Sequence, residues 1–563
     1  MPGGEISRQS RTVMKKLFLL PCLAAAAFAA DPTVNKSFVE ELERKARALA
    51  FIQPAAEKLL PADTLGFLTV PDWTKAQAAF TNSTSGQLWA DPAMQAFKES
   101  FLEKFNAEKI QPLEKELGFQ FTNFLNLARG QFTLGVVPNG WDGRSERQPG
   151  LLWLLDVKEN SPQLKTNLAA LRKQWTESGR KLRVEKIRDV EFTVVIVDAQ
   201  EIGKSLQQLA PGPKAAGADA PTAPRTVEWV IGQSGSLLVV SDAARDVEKV
   251  LARQSGAAES ALAEQVAFTG GAALLRGAQS FAWVNVKPIM NTLARQPAPR
   301  AGEKQSLLGA LPTVEKILNA LGLNGVQTIA FNWQAGADGT TTHLAVRVPE
   351  SGRKGLFQML AVGAHDASPP PFIPADAMKF TRWRMDLQKV WSTIETMLLE
   401  VSPQYAGFSK LILDTAGKDK DPNFDFRKQL LANLGDDVIT FEKAPRAGAT
   451  SAAPTLVLIG SKNAAQMAAS LRAITSIFPP EMIHYSERDS LGRKIYSVVI
   501  PSLSADSKPR PLTYAASGGH VVISSEAGAL EEFLRASEAP AKPLRELPGV
   551  SDAAQKVGGT GRG

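Results

Sequence analysis

Leu59-Leu60-Pro61-Ala62-Asp63 and Phe372-Ile373-Pro374-Ala375-Asp376 open two stretches of the chain that run in parallel. Further on, Phe119, Phe121, Leu125 and Gly130 recur as Phe424, Phe426, Leu430 and Gly435, each 305 positions later. Spacing held over four residues of the same kind points to duplication of one module. A slip of one residue would turn apolar side chains outward, so shared spacing implies shared packing, with Leu125 and Leu430 on the buried face. Gly130 and Gly435, each ahead of a strand, are expected to end their helices in a left-handed cap.

Working outward, the first copy reads as strand Leu65–Val70, helices Trp73–Phe80 and Pro92–Leu117, then strands Gln131–Val137 and Gly150–Val157. A helix Ser161–Ser178 follows, with Pro162 in its first turn. Strands Lys181–Ile187 and Glu191–Val197 are joined at Arg188-Asp189, and a hairpin turns at Gly232-Gln233-Ser234-Gly235 before helix Ala243–Arg253. Residues 210–225, rich in Ala, Pro and Gly, read as a disordered linker. In the second copy Thr455–Ile459 answers to Trp153–Val157, and Tyr496–Ile500 to Phe192–Ile196. Gly518-Gly519-His520 answers to the hairpin at Gly235, Tyr514 to Trp229, and helix Ala527–Arg535 to Ala243–Arg253.

The implied organisation is a signal peptide at 1–29, an N-terminal helix at 30–58, a first copy at 59–270 and a reduced middle module at 278–362. A second copy at 372–537 and a flexible tail at 538–563 complete it. Strands pairing in hairpins with helices collected between them predict an α+β fold of antiparallel sheets with helices packed on one face.

Lys15 and Lys16 precede an apolar run from Leu17 to Ala30 that ends on Ala27-Phe28-Ala29, the pattern of a secretory leader cleaved before Ala30, with Met14 as an alternative start. The run is shorter than the roughly 20 residues that span a bilayer, and no later segment is long and apolar enough to do so. The single cysteine, Cys22, lies within the leader, so the mature chain is expected to have no thiol chemistry and no disulfide. The formal charge of +7 falls to about +4 once Arg8, Arg11, Lys15, Lys16 and Glu5 leave with the leader. Spread so thinly, it does not make a nucleic-acid surface.

The Pro-Ala-Asp openings, Asn433-Leu434-Gly435-Asp436-Asp437 ahead of Val438–Phe441, and the helix start Arg353-Lys354-Gly355-Leu356 resemble exported bacterial proteins grouped only as a domain of unknown function. The resemblance spans about residues 55–540 and implies a secreted α+β protein; it brings no catalytic residue.

Motifs for chemistry are few. His343, His365, His484 and His520 lack metal-ligand spacing, and His343 and His520 read as ordinary strand residues. Asp419, Asp421, Asn423 and Asp425 match the start of a calcium loop, but Phe424 stands where glycine is required and Leu430 where a bidentate Glu belongs. Gly232-Gln233-Ser234-Gly235-Ser236 resembles a nucleophile elbow yet runs into a strand, so it reads as a hairpin turn. Trp73, Trp383 and Trp391 sit beside strand-to-helix junctions; core anchoring is preferred over a sugar platform. No catalytic, cofactor-binding or metal residue is assigned, and no cofactor. The preferred reading is a non-catalytic binding or scaffolding protein of the periplasm or cell envelope, its partner unspecified. The rivals are an exported hydrolase built on Asp63, Asp376, Asp436 and Asp437, and a carrier of an apolar ligand. Turn or capping duty beside Pro and Gly is the simpler account of those four acids.

Overall fold

The structure, a computed structural model, describes residues 53–141, 148–198, 226–257, 259–294, 313–418, 421–444, 454–477, 483–500, 510–537 and 542–561. The leader, most of the N-terminal helix and the linker at 210–225 lie outside these residues. The chain divides into two units, Met1–Ile289 with Thr328–Arg347, and Met290–Gln327 with Val348–Gly563.

In the first unit the strands are β1 (Gly66–Val70), β2 (Phe132–Val137), β3 (Gly150–Asp156), β4 (Leu182–Ile187), β5 (Val190–Asp198), β6 (Thr226–Ser234), β7 (Leu237–Ser241), β8 (Ser280–Asn285), β9 (Thr328–Gly336) and β10 (Gly339–Arg347). They form one antiparallel sheet in the order β10-β9-β8-β1-β2-β3-β7-β6-β5-β4. The second unit has β11 (Ala377–Arg384), β12 (Leu434–Lys443), β13 (Thr455–Ser461), β14 (His484–Ser490), β15 (Arg493–Ile500), β16 (Arg510–Ser517) and β17 (His520–Ser524), ordered β11-β12-β13-β17-β16-β15-β14. That is the order of β1 through β7 repeated strand for strand. The turns repeat as well: Arg188-Asp189 and Leu491-Gly492 carry positive φ at the β4–β5 and β14–β15 hairpins, and Gly235 and Gly518 do so at β6–β7 and β16–β17. Paired left-handed residues suit the right-handed twist of two-residue hairpins.

The fold class is α+β, with antiparallel sheets as the sequence implies. The helical cover, expected on one face, lies on both. The helices include α1 (Ser161–Glu177), α2 (Ala244–Gln254), α3 (Val266–Thr269) and α4 (Leu387–Val401). Alternation along β5 and β7 sends Phe192, Val194, Leu237 and Val239 to one core with Val247, Val250 and Leu251 of α2. The same alternation sends Val195, Val197, Leu238 and Val240 to another core with Leu164, Leu171 and Trp175 of α1. The second unit divides its core in the same way, between α5 (Ala464–Leu471) and α6 (Ala527–Ala536).

Strand register corrects two matches made on sequence. Trp153 pairs with Val240 as Val457 pairs with Ile523, so Trp153 answers to Val457 and not to Thr455. Ile231 pairs with Val240 as Tyr514 pairs with Ile523, which makes Tyr514 the counterpart of Ile231, two residues from Trp229. Both aromatics face the same side of the sheet, which is why similarity of type misaligned them.

The middle module does not stand apart. Its strands β8, β9 and β10 extend the first copy's sheet by antiparallel pairing of β8 with β1. The tail is folded as well: α7 (Pro548–Lys556) follows a turn in which Leu544 is buried and donates its N–H to Ile373 O at 2.8 Å. In the first copy Leu262 donates to Leu60 O at 3.0 Å in the same way, and the bridges Pro61–Ala261 and Pro374–Pro543 match. The second copy therefore runs past residue 537, and the Ala, Pro and Gly content of that segment concealed a repeated closing turn.

Candidate functional site

Asp63 and Asp376 belong to turns closed by Thr64 N–H to Pro61 O and Ala377 N–H to Pro374 O. Both are exposed, and Asp376 is paired with Lys443 at 3.3 Å. Asp436 and Asp437 come together instead, at one end of the second sheet, beside an open cavity of about 470 Å³ lined also by Asp386, Gln388, Ser461, Lys462 and His520.

The ends of three strands build this corner. Arg382 of β11 donates from Nε and Nη2 to the two oxygens of Asp437 on β12, at 2.9 and 2.7 Å, and from Nη1 to Ser368 O at 2.6 Å. Arg384 bonds Asp436 at 2.6 Å and approaches Asp437 at 3.7 Å. His520, first residue of β17, lies with Nε2 3.5 Å from Asp437 Oδ2 and its ring edge-on to Phe372. Burial opposes the charge on Asp437, but His520 and Arg382 outweigh it and hold the carboxyl well below the usual carboxylate range. The same bond pushes Arg382 up against the cost of its own burial.

Such an arrangement clamps strands together. A carboxylate gripped at both oxygens by one guanidinium is neither a proton donor near neutral pH nor free to attack a substrate. Asp436, about half exposed, is the more accessible acid, and it too is held by an arginine. The pairing of Asp437 with Arg382 and His520 was invisible in sequence, because the three residues are 55 and 83 positions apart. His520 in particular is no ordinary strand residue. Among the described residues no group of three His, Cys, Asp or Glu side chains is placed to hold a metal.

The first copy has a buried acid at the same corner, taken from a different strand. Asp156 of β3 accepts from Ser236 Oγ at 2.7 Å and from the Lys158 N–H at 3.1 Å, and its carboxyl is raised by burial. Register matches the pair Asp156–Leu237 to Gly460–His520. Each acid has a glycine before it: a Cβ on Gly130 would lie 2.0 Å from Asp156 Oδ2, and one on Gly460 would lie 3.1 Å from the Asp437 Cβ. Gly130 and Gly435 do not have positive φ, so the expected left-handed caps are absent. Close approach is what demands them, since a Cβ on Gly435 would meet the Gly460 carbonyl carbon at 2.8 Å.

The remaining sequence candidates have structural duties. Asp425 caps a helical turn by accepting from Lys428 N–H at 3.1 Å, and Phe424 is buried beside Ala416 and Leu430; Asp419 lies outside the described residues. The segment from Gly232 to Ser236 is a hairpin as expected, but its turn is Gly235-Ser236: Gly232, Gln233 and Ser234 belong to β6, with Ser234 paired to Leu237. His343, His365 and His484 are exposed. Trp73 packs on Phe132 and Trp391 on Phe426, whereas Trp383 on β11 is 51% exposed and anchors no core. No protein-family model, no curated protein and no solved structure matches the chain.

Proposed function

We propose that this chain is a non-catalytic exported protein that binds or scaffolds within the periplasm or cell envelope. The observation that carries the reading is the β1–β8 junction, where two modules join edge to edge into a single ten-stranded sheet. A module that associates through its first strand is suited to building extended surfaces from repeated parts. The hydrolase alternative loses its main support because Asp436 and Asp437 are both committed to arginines. For an apolar carrier, the cavity beside them is lined by Asp386, Asp436 and Lys462, which suits polar contacts. Export itself rests on Lys15-Lys16, the apolar run and Ala27-Phe28-Ala29. No described helix is long and apolar enough to cross a membrane.

The test has two arms. Cell fractionation with intact-mass analysis should find a chain beginning at or near Ala30 outside the cytoplasm; a cytoplasmic chain, or one acylated at Cys22, would contradict the reading. Purified protein should turn over no ester, phosphoester, glycoside or peptide substrate in a way that Asp436→Asn and Asp437→Asn abolish. Turnover lost in both variants would establish the hydrolase.

A further inference from the structure

The two copies differ in what lies beside their first strand. In the first copy β1 is flanked by β2 on one side and β8 on the other. β8 is itself the first strand of the middle module, and Phe67 and Phe281, the second residue of each strand, are both buried in one core. On that match Leu68 answers to Ala282, and these two residues stand directly opposite each other. The junction is thus a pseudo-two-fold pairing of two equivalent strands about the Leu68–Ala282 pair. In the second copy β11 ends its sheet, and no strand among the described residues pairs with its outer edge.

We propose that this edge is completed by β11 of a second copy of the chain, in an antiparallel two-fold pairing centred on Thr381. The offset between the Pro-Ala-Asp motifs carries Leu68 to Thr381, and Val70 and Trp383 confirm it by pairing with the matching residues Phe132 and Val438. Backbone directions agree. Asn285 N–H donates to Leu65 O at 2.7 Å, so the Leu65 carbonyl and, with the alternation of the strand, Phe67 and Thr69 turn toward β8, while Leu65 N–H goes to Val136 O of β2 at 2.8 Å. On β11, Met385 N–H donates to Asp436 O at 2.9 Å, so Thr381 and Trp383 face β12 while Phe380, Arg382 and Arg384 face outward. A Thr381–Thr381 centre then leaves Phe380 and Arg382 to exchange backbone hydrogen bonds with their two-fold mates, as Phe67 does with Trp283.

Side chains fit the same register. Directly opposite pairs would be Thr381 with Thr381, Phe380 with Arg382, Lys379 with Trp383 and Met378 with Arg384, so Lys379 and Arg382 each meet an aromatic ring and no cation meets another. Every cation on the strand already has its own acid: Lys379 with Glu442, Arg382 with Asp437 and Arg384 with Asp436. Two such edges carry little mutual repulsion. An unpaired edge is normally blunted by unpaired charge or distortion, and here the bulge lies only at the start, between Ala377 and Lys379. The segment before the strand leaves room as well. Gln131 bonds Pro54 O in the first copy much as Arg382 bonds Ser368 O in the second, and β8 is accommodated beside it. A further sign is α7. Its first-copy counterpart α3 buries Phe268 against Phe281 and Trp283 of β8, whereas Val550 of α7 is only half-buried.

Thr381→Cys tests the pairing, because the mature chain has no other cysteine. Cα atoms in a non-hydrogen-bonded antiparallel pair lie about 4.5 Å apart, within disulfide reach. Mild oxidation of the full mature chain should give a covalent dimer, while Arg488→Cys on the far strand β14 should not. Sedimentation should show a dimer that Thr381→Glu, which sets two like charges face to face, weakens at least tenfold with unchanged circular dichroism. A monomer at all concentrations, or a dimer that cross-links equally well through Arg488→Cys, would overturn the proposal. It rests on the scaffolding reading; a monomeric exported protein without turnover would reject the interface alone, and a cytoplasmic or catalytic one would reject that reading.

Discussion

Arg382 and Asp437 form a two-bond clasp across β11 and β12, with both side chains almost completely withdrawn from solvent. Removing one partner leaves the other charge stranded. Asp437→Ala should cost about 3–5 kcal/mol at pH 7 by denaturant unfolding, while replacing both residues with apolar ones should cost much less. The sign of the pH effect follows from the depressed carboxyl. Its stabilisation is complete above the unfolded carboxylate range, near pH 4, and drains away as pH falls toward the folded value. Wild type and Asp437→Asn should therefore converge in strong acid; a constant gap down to pH 2 would contradict the assignment.

Asp242 should behave in the opposite sense. Burial raises its carboxyl to about 6, against the pull of the Leu151 N–H that it accepts at 3.0 Å. A raised acid favours the folded state only while protonated, so it lowers stability as pH climbs from about 4 to about 6 and stays unfavourable above. The displacement corresponds to roughly 3 kcal/mol. Asp242→Asn, which keeps the acceptor, should match wild type at pH 4 and exceed it at pH 8 in urea titrations. Equal stability at both would show that the carboxyl is not buried as described.

Gly130 and Asp156 make a coupled pair. Gly130→Ala forces a methyl into the Asp156 carboxylate and should cost about 1–3 kcal/mol or more, as overpacking does. In an Asp156→Gly background, which copies Gly460, the added penalty should shrink by at least half. Full additivity in the double-mutant cycle would mean that the two side chains do not meet.

Leu430 and Leu125, matched by spacing, should respond differently. Leu430 is 6% exposed among Phe424, Phe426 and Leu431, and Leu430→Ala should cost about 2–5 kcal/mol. Leu125 is 37% exposed, because in the first copy Phe124 turns inward and stacks on Phe119 at 4.6 Å. Leu125→Ala should then cost under about 1 kcal/mol. Thermal unfolding of the two variants side by side would decide, and equal losses would restore the spacing argument.

Much of the fold was legible because it depends on local periodicity. The positive-φ pair at Arg188-Asp189, the alternation along Phe192–Val197 and the α2 pattern through Val247, Val250 and Leu251 each show within ten residues. Duplication was legible for the same reason, since strand order follows from repeated local signals. Tertiary structure decided what depends on partners far away in the chain. It turned Phe124 inward in place of Leu125, made Trp153 the counterpart of Val457, and folded the turn at Leu544 onto Ile373. It also gathered Arg382, Asp437 and His520 from three strands into one clasp, and gave β1 a neighbour in β8 that β11 lacks among the described residues. A strand's own sequence fixes which side chains alternate inward, but its edge hydrogen bonds belong to whichever strand arrives beside it, and no local pattern names that strand.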